Sequence, residues 1–340
     1  MKKSLVILTD RFGLNFSGGA IATCRVFEPI QHDFKEIIVV AKQIGQHHFT
    51  NLKHLRYRHL PAALKHIRNL RKKTDLIYYG DFYMAYYYIL AGVPFYFTYH
   101  DNWPAQKKLN FTAYIRSFFY IPIYQWIFKR AAGLINVSQY TYNYNASWNH
   151  RNFLIRNGIN AGISKAQYRP IVRGQLVKII MLGNIDTRKF GLANELFEVI
   201  QAFERPIPIE IHIYGKPKDF KIAEKIKRYN FVKLMGFSSD INFSPYDVFL
   251  SVSKMENLSI AVCEALANHT PVLAFDVGGL GEVVKNKKNG FLIEKFNICK
   301  MAATLEKMVL EPTAFQFTKD DLREYNWEIA AKRYKEILIP

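Results

Sequence analysis

Short runs of apolar, β-branched and aromatic residues alternate with helix-length segments along the whole chain. This alternation is typical of parallel sheets whose strands are connected by helices. The predicted strands of the first half are Leu5–Thr9, Glu36–Ala41, Leu76–Tyr79, Pro94–His100, Gly133–Ser138 and Phe153–Arg156, and those of the second half are Lys178–Leu182, Ile209–Tyr214, Val232–Met235, Val248–Val252 and Val272–Phe275. Each half has enough strands for its own doubly wound sheet, so the predicted fold class is α/β.

The length of 340 residues suits two hydrophobic cores better than one. The least periodic join between the halves runs from Asn157 to Gln175 and contains Gly158, Gly162, Pro170 and Gly174 before the next strand. We therefore predict domains at residues 1–165 and 166–318, followed by a charge-rich, helix-like end at residues 319–340.

Two apolar runs could have been a targeting peptide or a membrane-spanning helix, and the sequence argues against both. The first ten residues begin basic and turn apolar, but the run stops at Asp10-Arg11 without a small-residue cleavage site, as expected of a first buried strand. The longest apolar stretch, Phe111 to Phe128, is interrupted by Arg116 and Pro122, so we predict no transmembrane helix.

The three cysteines, Cys24, Cys263 and Cys299, are far apart in the sequence and form no Cys-x-x-Cys pair. This spacing predicts neither a zinc site nor a redox disulfide, and it favours a reducing, cytoplasmic setting.

The formal net charge of +19 is concentrated in the first half, where residues 1–165 carry a net charge of +15. Such a field favours nucleic acid, an anionic membrane surface or an acidic substrate, and charge alone does not choose among them.

Ligands of open α/β sheets bind beyond the carboxyl ends of the strands, which directs attention to the loop after Val252. This loop contains Glu256 and precedes a predicted helix that begins near Leu258 and carries Glu264 about two turns in. Asn257, Leu258 and Ser259 lie where free backbone N–H groups at a helix N-terminus would bind a diphosphate. The alternative is that Glu256 only complements the helix dipole and Glu264 is a surface residue.

With its two glutamates, this segment resembles the retaining GT-B glycosyltransferases of family 4, whose motif is Glu-x-x-(Gly/Ser)-x-x-x-x-Glu-Ala. The resemblance continues through Pro271–Gly279 with Glu282, and through Asn289–Ile293. It implies a GT-B fold, with two Rossmann-like domains and a cleft between them, and a last helix that crosses back to the first domain. It also implies that Glu264 accepts hydrogen bonds from the nucleotide ribose and that Glu256 faces the donor sugar.

Neutralisation of the leaving diphosphate needs positive charge, and the chain contains no Asp-x-Asp motif to hold a metal ion. We therefore expect no metal and no cofactor, and we assign donor binding to Asn184, Arg188 and Lys189. The resemblance would place Arg and Lys where Asn184 and Phe190 stand, which leaves open which cation meets the phosphates. The alternative is that Arg188 and Lys189 are ordinary surface charges.

In the first half, Gly18 and Gly19 follow the first strand and resemble the family's loop that approaches the donor phosphates. His100 ends a predicted strand and resembles the family's histidine on the acceptor side, where an imidazole can hydrogen-bond the sugar or the reacting oxygen. The dinucleotide fingerprint Gly-x-Gly-x-x-Gly is absent, which argues against an NAD enzyme.

The resemblance implies transfer of a hexosyl-type sugar from a nucleotide-sugar to a glycan or lipid-linked acceptor, with retention, in bacterial surface polysaccharide or lipopolysaccharide assembly. We expect a cytoplasmic protein whose partners include an anionic membrane surface at the inner face of the cytoplasmic membrane. Two alternatives stay open. One is a nucleotide-sugar epimerase or a phosphorylase on a GT-B-like fold. The other is a basic nucleic-acid-binding protein, although no nucleic-acid-binding module is recognisable and we expect no nucleic-acid partner.

Overall fold

A computed structural model of the chain describes residues 2–16, 18–159, 168–238, 240–311, 314–317 and 322–339. It divides the chain into two compact units, one formed by residues 1–159 and 324–340 and the other by residues 160–323. The predicted domain boundaries, after residues 165 and 318, lie outside the described residues.

A seven-stranded parallel sheet, counted over the described residues, forms the centre of the first unit, in the order β5-β3-β1-β6-β7-β8-β9. The strands are β1 Ser4–Leu8, β2 Arg11–Phe12, β3 Ile37–Ala41, β4 Gln43–Ile44, β5 Leu52–Arg56, β6 Leu76–Gly80, β7 Tyr96–Tyr99, β8 Gly133–Asn136 and β9 Asn152–Leu154. Every residue of β3 is buried, as expected of a strand covered on both faces. The two shortest strands, β2 and β4, pair with each other and form a separate two-stranded sheet.

Strand β5 was not predicted from the sequence. It lies at the edge of the sheet and exposes Lys53, His54 and Arg56. Charged side chains are common on edge strands because they discourage pairing with other chains, and they remove the apolar run on which the prediction relied.

Helices cover the first sheet. They are α1 Gly19–Phe27, α2 Leu60–Leu70, α3 Tyr86–Ala91, α4 Trp103–Gln106, α5 Phe111–Arg130 and α6 Gln139–Asn145. Polar side chains set several of their starts, since Asn110 accepts a hydrogen bond from the Ala113 N–H at 2.8 Å and so caps α5. Helices α2, α3 and α5 share one hydrophobic core on one face of the sheet, whereas α1 belongs to the core on the other face.

The second unit has its own parallel sheet, which the described residues show as six strands in the order β12-β11-β10-β13-β14-β15. The strands are β10 Val177–Leu182, β11 Ile209–Tyr214, β12 Val232–Gly236, β13 Val248–Ser251, β14 Val272–Phe275 and β15 Gly290–Ile293. Strands β11 and β12 follow β10 on one side, and β13 to β15 are added on its other side. Because the strand order reverses here, the neighbours β10 and β13 form a topological switch point. The predicted α/β class with two Rossmann-like domains is confirmed.

The helices of the second unit are α7 Thr187–Phe190, α8 Ala193–Gln201, α9 Phe220–Ile226, α10 Ile260–Ala267 and α11 Ile298–Leu310. The prediction that a helix begins near Leu258 was wrong by two residues, because Ser259 still has extended backbone angles of φ −81° and ψ 112°. Glu264 is therefore the fifth residue of α10, little more than one turn from its start.

The last helix, α12 Trp327–Leu338, belongs to the first unit. Ala330, Tyr334 and Leu338 recur every four residues and enter the same core as α1, and the Tyr334 hydroxyl lies 2.8 Å from Thr98 Oγ1. A helix-like stretch was predicted from Lys319. The structure has turns and extended chain over residues 322–326, because Asn326 caps α12 through the N–H groups of Glu328 and Ile329.

Candidate functional site

The switch point of the second sheet brings two loops together. Strands β10 and β13 are hydrogen-bonded neighbours, with Ile179 opposite Val248. Because the two strands are parallel, their carboxyl ends lie at the same end of the sheet. The segments that follow them, residues 183–189 and 252–259, therefore begin side by side. A backbone hydrogen bond of 2.9 Å from the Lys254 N–H to the Arg188 carbonyl joins the two segments directly.

A buried ion pair joins the same two loops through their side chains. Lys189 Nζ donates to the Glu256 carboxylate, and the two side chains are only 14% and 6% exposed. The direction of Lys189 is fixed locally, since Asp186 caps α7 by accepting the Lys189 N–H at 2.8 Å. A buried carboxylate and a buried ammonium are thus held against each other at the end of the sheet.

Glu256 is charged in this environment. Burial alone would raise the pKa of Glu256, but the positive charges of Lys189 and Arg188, with hydrogen bonds from Lys189 and Ser253, hold the pKa below its usual value. Both candidate cations therefore act on the predicted donor-sugar residue.

The departure of this sequence from the family pattern has a structural reason. Phe190, at the position where the family has lysine, is 2% exposed and belongs to the hydrophobic core. The lysine one residue earlier, Lys189, is the one whose ammonium group contacts Glu256. Asn184, at the position where the family has arginine, is half-buried behind Gly183 and is not a cation.

The N-terminus of α10 is open to a ligand's hydrogen-bond acceptors. No side chain among the described residues caps it at Ser259, and no acidic residue lies in its first turn. Asn257, Leu258 and Ser259 are all buried, so the predicted contact with phosphate would come from backbone N–H groups. Glu264 is half-buried further along α10.

The loop at Glu256 is held by the segment that follows β14. The Gly279 N–H donates to the Asn257 carbonyl at 2.7 Å. Gly278 has a φ of 58°, and a Cβ atom built there would lie 2.0 Å from the Glu256 carbonyl oxygen. Glycine is required at position 278 for both reasons.

In the first unit, His100 and the glycine loop lie together. His100 follows β7, and a Cβ atom on Gly19 would lie 3.1 Å from His100 Cδ2. Gly18 precedes α1 with a φ of 58°, while Ser17 lies outside the described residues. Burial lowers the pKa of His100 to about 4, and its Nε2 atom is enclosed without a hydrogen-bond partner among the described residues. A neutral imidazole nitrogen is thus available to a ligand.

Asp81, which the sequence prediction missed, lies just beyond the neighbouring strand of this sheet. It follows β6, the neighbour of β7, and is 8% exposed. The Thr23 hydroxyl donates to Asp81 Oδ2 at 2.5 Å, whereas Oδ1 has no partner within the described part of the chain. Burial raises the pKa of Asp81 to about 7, against the hydrogen bond from Thr23.

Asp81 and His100 face the same helix, since Gly19 and Thr23 are one turn apart on α1. The signal that could have found Asp81 is its place directly after a predicted strand.

Across the described ranges, no three His, Cys, Asp or Glu side chains are grouped so that they could hold a metal ion. In the same part of the chain, no helix has both the length and the apolar character that crossing a bilayer requires.

Two family profiles match the sequence, one in each half. The profile described as Glycosyltransferase Family 4 matches residues 24–162, and the one described as Glycosyl transferases group 1 matches residues 173–327. Together they span most of both units. The chain belongs to the glycosyltransferases, with a family 4 match followed by a group 1 match.

Solved GT-B structures share the whole architecture at low identity. A sucrose-phosphate synthase from Thermosynechococcus elongatus superposes with a TM-score of 0.81 and 15% identity over 99% of this chain and 98% of that one. The Anabaena protein HepE, solved in complex with UDP and glucose, gives a TM-score of 0.73 and 15% identity over 99% of both chains. At this identity the likeness establishes the fold alone.

Among curated GT-B relatives, a poly(ribitol-phosphate) alpha-N-acetylglucosaminyltransferase of Staphylococcus aureus is 29% identical over 131 residues. The match covers 37% of this chain and 26% of the relative. The chain therefore spans well under two thirds of the curated relatives that it matches.

Proposed function

We propose that this chain transfers a hexosyl-type sugar from a nucleotide-sugar to a glycan or lipid-linked acceptor, with retention of the anomeric configuration. The observation that carries the proposal is the buried pair of Lys189 and Glu256 beside the uncapped N-terminus of α10, at the switch point of the second sheet. An ammonium group, a guanidinium group and free backbone N–H groups together complement a diphosphate without a metal ion.

Each carboxylate of the motif has a separate task in this proposal. Glu264 accepts hydrogen bonds from the ribose hydroxyls of the nucleotide, since a carboxylate accepts two neighbouring donors at once. Glu256, held ionised by Lys189 and Arg188, faces the hydroxyl groups of the donor sugar. Asn184 and the buried backbone of residues 257–259 complete the donor contacts.

The chemical step is a front-face displacement. The bond between the anomeric carbon and the leaving phosphate breaks, the acceptor oxygen forms a new bond on the same face, and the acceptor's proton passes to the leaving phosphate. Arg188 and Lys189 stabilise the charge that develops on the diphosphate. In the first unit, the unpartnered Nε2 atom of neutral His100 hydrogen-bonds the sugar or the reacting oxygen, while Gly18 and Gly19 let the backbone approach the donor.

The acceptor that we propose is an anionic or lipid-linked glycan of the bacterial surface, of the polysaccharide or lipopolysaccharide kind. The net charge of +15 on residues 1–165 supports it. Two curated relatives are named for transfer to poly(ribitol-phosphate) and to poly(glycerol-phosphate), and both of these polymers carry phosphate in every unit. We place the reaction in the cytoplasm, at the inner face of the cytoplasmic membrane.

The test is release of nucleoside diphosphate from UDP-, GDP- and ADP-sugars, with and without a phosphate-containing polymer and with and without EDTA. We expect release from one donor class, dependent on the polymer and unchanged by EDTA, with an α-linked product by NMR from an α-linked donor. Sugar released or isomerised without an acceptor would instead indicate an epimerase. An inverted linkage would contradict front-face transfer.

A further inference from the structure

The outer face of α5 exposes large aromatic side chains. Phe111 is 77% exposed, Phe118 is 65% exposed and Phe119 is 60% exposed. Tyr114, Ile115 and Trp126 on the same helix are also more than a third exposed. Single exposed apolar residues are common on soluble proteins, but a contiguous set of this size marks an interaction surface.

These residues are not the core face of the helix. A different stripe of α5, with Ser117, Tyr124, Ile127 and Phe128, is buried and packs into the core beneath the helix. A helix with apolar residues on its inner and outer sides needs a second apolar environment on the outer side.

The exposed charged side chains on α5 and next to its ends are positive, and the Asp101 carboxylate contacts the helix from the side of buried Tyr124. The sequence has no aspartate or glutamate between Asp101 and Asp186. Lys108, Arg116, Lys129 and Arg130 are exposed before, within and at the end of the helix. Aromatic groups with only positive charges around them complement a surface that has negative charges above an apolar layer.

Helix α2 extends this positive charge within the same layer. It packs on α3, which packs on α5, and the Arg71 guanidinium just after α2 donates to the Ala91 carbonyl at the end of α3 at 2.8 Å. Lys65, Arg68 and Lys72 point away from the core and are exposed. We call the exposed aromatic residues of α5, together with Lys65, Arg68 and Lys72 on and just after α2, the α5 surface.

We propose that the α5 surface lies in the headgroup region of an anionic phospholipid bilayer, with its aromatic side chains among the upper acyl chains and its basic side chains on the lipid phosphates. The inference rests on the proposed function at the inner face of a membrane and identifies the part of the chain that makes the contact. Phe, Tyr and Trp are the residues that favour the membrane interface, and Lys and Arg draw such a face to anionic lipid. A second copy of the chain fits less well, because the two faces would bring like charges together.

The experiment is flotation of the full chain with vesicles of phosphatidylcholine alone or with graded phosphatidylglycerol, at low and high salt. One variant changes Phe111, Phe118 and Phe119 to Ser. A second changes Lys65, Arg68 and Lys72 to Ser, which spares the Arg71 hydrogen bond. The matched control is Phe220→Ser, because Phe220 is 70% exposed on α9 of the second unit. Circular dichroism and calorimetric binding of a nucleoside diphosphate check that each variant is folded.

We expect wild type and Phe220→Ser to float with anionic vesicles and not with neutral ones. The aromatic variant should partition at least about 30-fold more weakly, and the basic variant should depend less steeply on lipid charge and salt than wild type does. Equal flotation of the aromatic variant and wild type would overturn the proposal. So would a vesicle-free dimer that the aromatic substitutions dissociate, because the face would then join two copies. Failure of nucleotide binding with intact flotation would instead refute the proposed function and leave the surface standing.

Discussion

Replacing Lys189 with Met should leave the Glu256 carboxylate buried without its cation. Both side chains are more than four-fifths buried, so water screens the pair little. Removing one member of a buried ion pair costs about 3–5 kcal/mol, most of it from the charge left behind. We expect the free energy of unfolding of the second unit to fall by about that amount at neutral pH.

The pH dependence follows from the pKa of Glu256. In wild type the pKa is lowered, so the pair contributes stability above the ordinary carboxylate pKa and loses it as the pH falls. In Lys189→Met only burial and weaker partners remain, so the pKa rises and the carboxylate protonates more readily. The stability difference from wild type should therefore be largest at neutral pH. It should shrink as the pH falls through the raised pKa of the variant, and shrink further below pH 4.5 through the lowered pKa of wild type.

The assay is urea unfolding of Lys189→Met, Glu256→Gln and the double variant, followed by circular dichroism at neutral and acidic pH. The double variant should be more stable than Lys189→Met, since it no longer buries an unpaired charge. The matched control is Lys227→Met, which breaks the pair with Glu224 whose side chains are 61% and 65% exposed, and which should cost under about 1 kcal/mol. If Lys189→Met were no less stable than this control, the buried pair would not exist in solution.

Three further variants test the rest of the geometry. In wild type, the free energy of unfolding should fall by roughly 4 kcal/mol between about pH 4 and pH 8, because a carboxyl whose pKa is raised to about 7 destabilises the fold once ionised. Asp81→Asn should remove this fall. The same pH dependence of the unfolding free energy in wild type and variant would contradict this. His100→Ala should lower turnover by about 10²–10⁴ while nucleoside diphosphate affinity measured by calorimetry is kept, and a wild-type rate would remove His100 from the reaction. Gly278→Ala should cost about 2 kcal/mol or more in urea unfolding, because the new methyl group meets the Glu256 carbonyl at a positive φ; an unchanged midpoint would disprove that contact.

The sequence predicted the central strands well, but it predicted edge strand β5 and the starts of two helices poorly. Strands such as β3, with every residue buried, appear in the sequence as continuous apolar runs, and so they were found. Edge strand β5 lacks such a run because one side of it meets water. The starts of α10 and α12 were placed too early because the extended residues before them have helix-compatible side chains, and only backbone angles reveal the cap.

The sequence predicted which loops form the candidate site, but it did not predict the side-chain contacts between those loops. The rule that ligands bind beyond strand ends selected the loops with Lys189 and Glu256, but the ion pair between them depends on β10 and β13 being neighbours in the sheet. Asp81 was missed because a single aspartate among aromatic residues has no motif, and its burial and unpartnered oxygen are properties of the folded unit. The assignment of Glu264 to the ribose stays a prediction.

The most direct test of the donor site is calorimetric titration of UDP, GDP and ADP and their sugars into wild type, Glu264→Gln and Glu224→Gln. Glu224 is the matched control, since it lies on α9 with its side chain 65% exposed. We predict that one nucleotide class binds wild type, that Glu264→Gln binds it at least about ten-fold more weakly, and that Glu224→Gln binds it as wild type does. Equal affinity in wild type and a folded Glu264→Gln variant, or no binding of any of these nucleotides to wild type, would contradict the account.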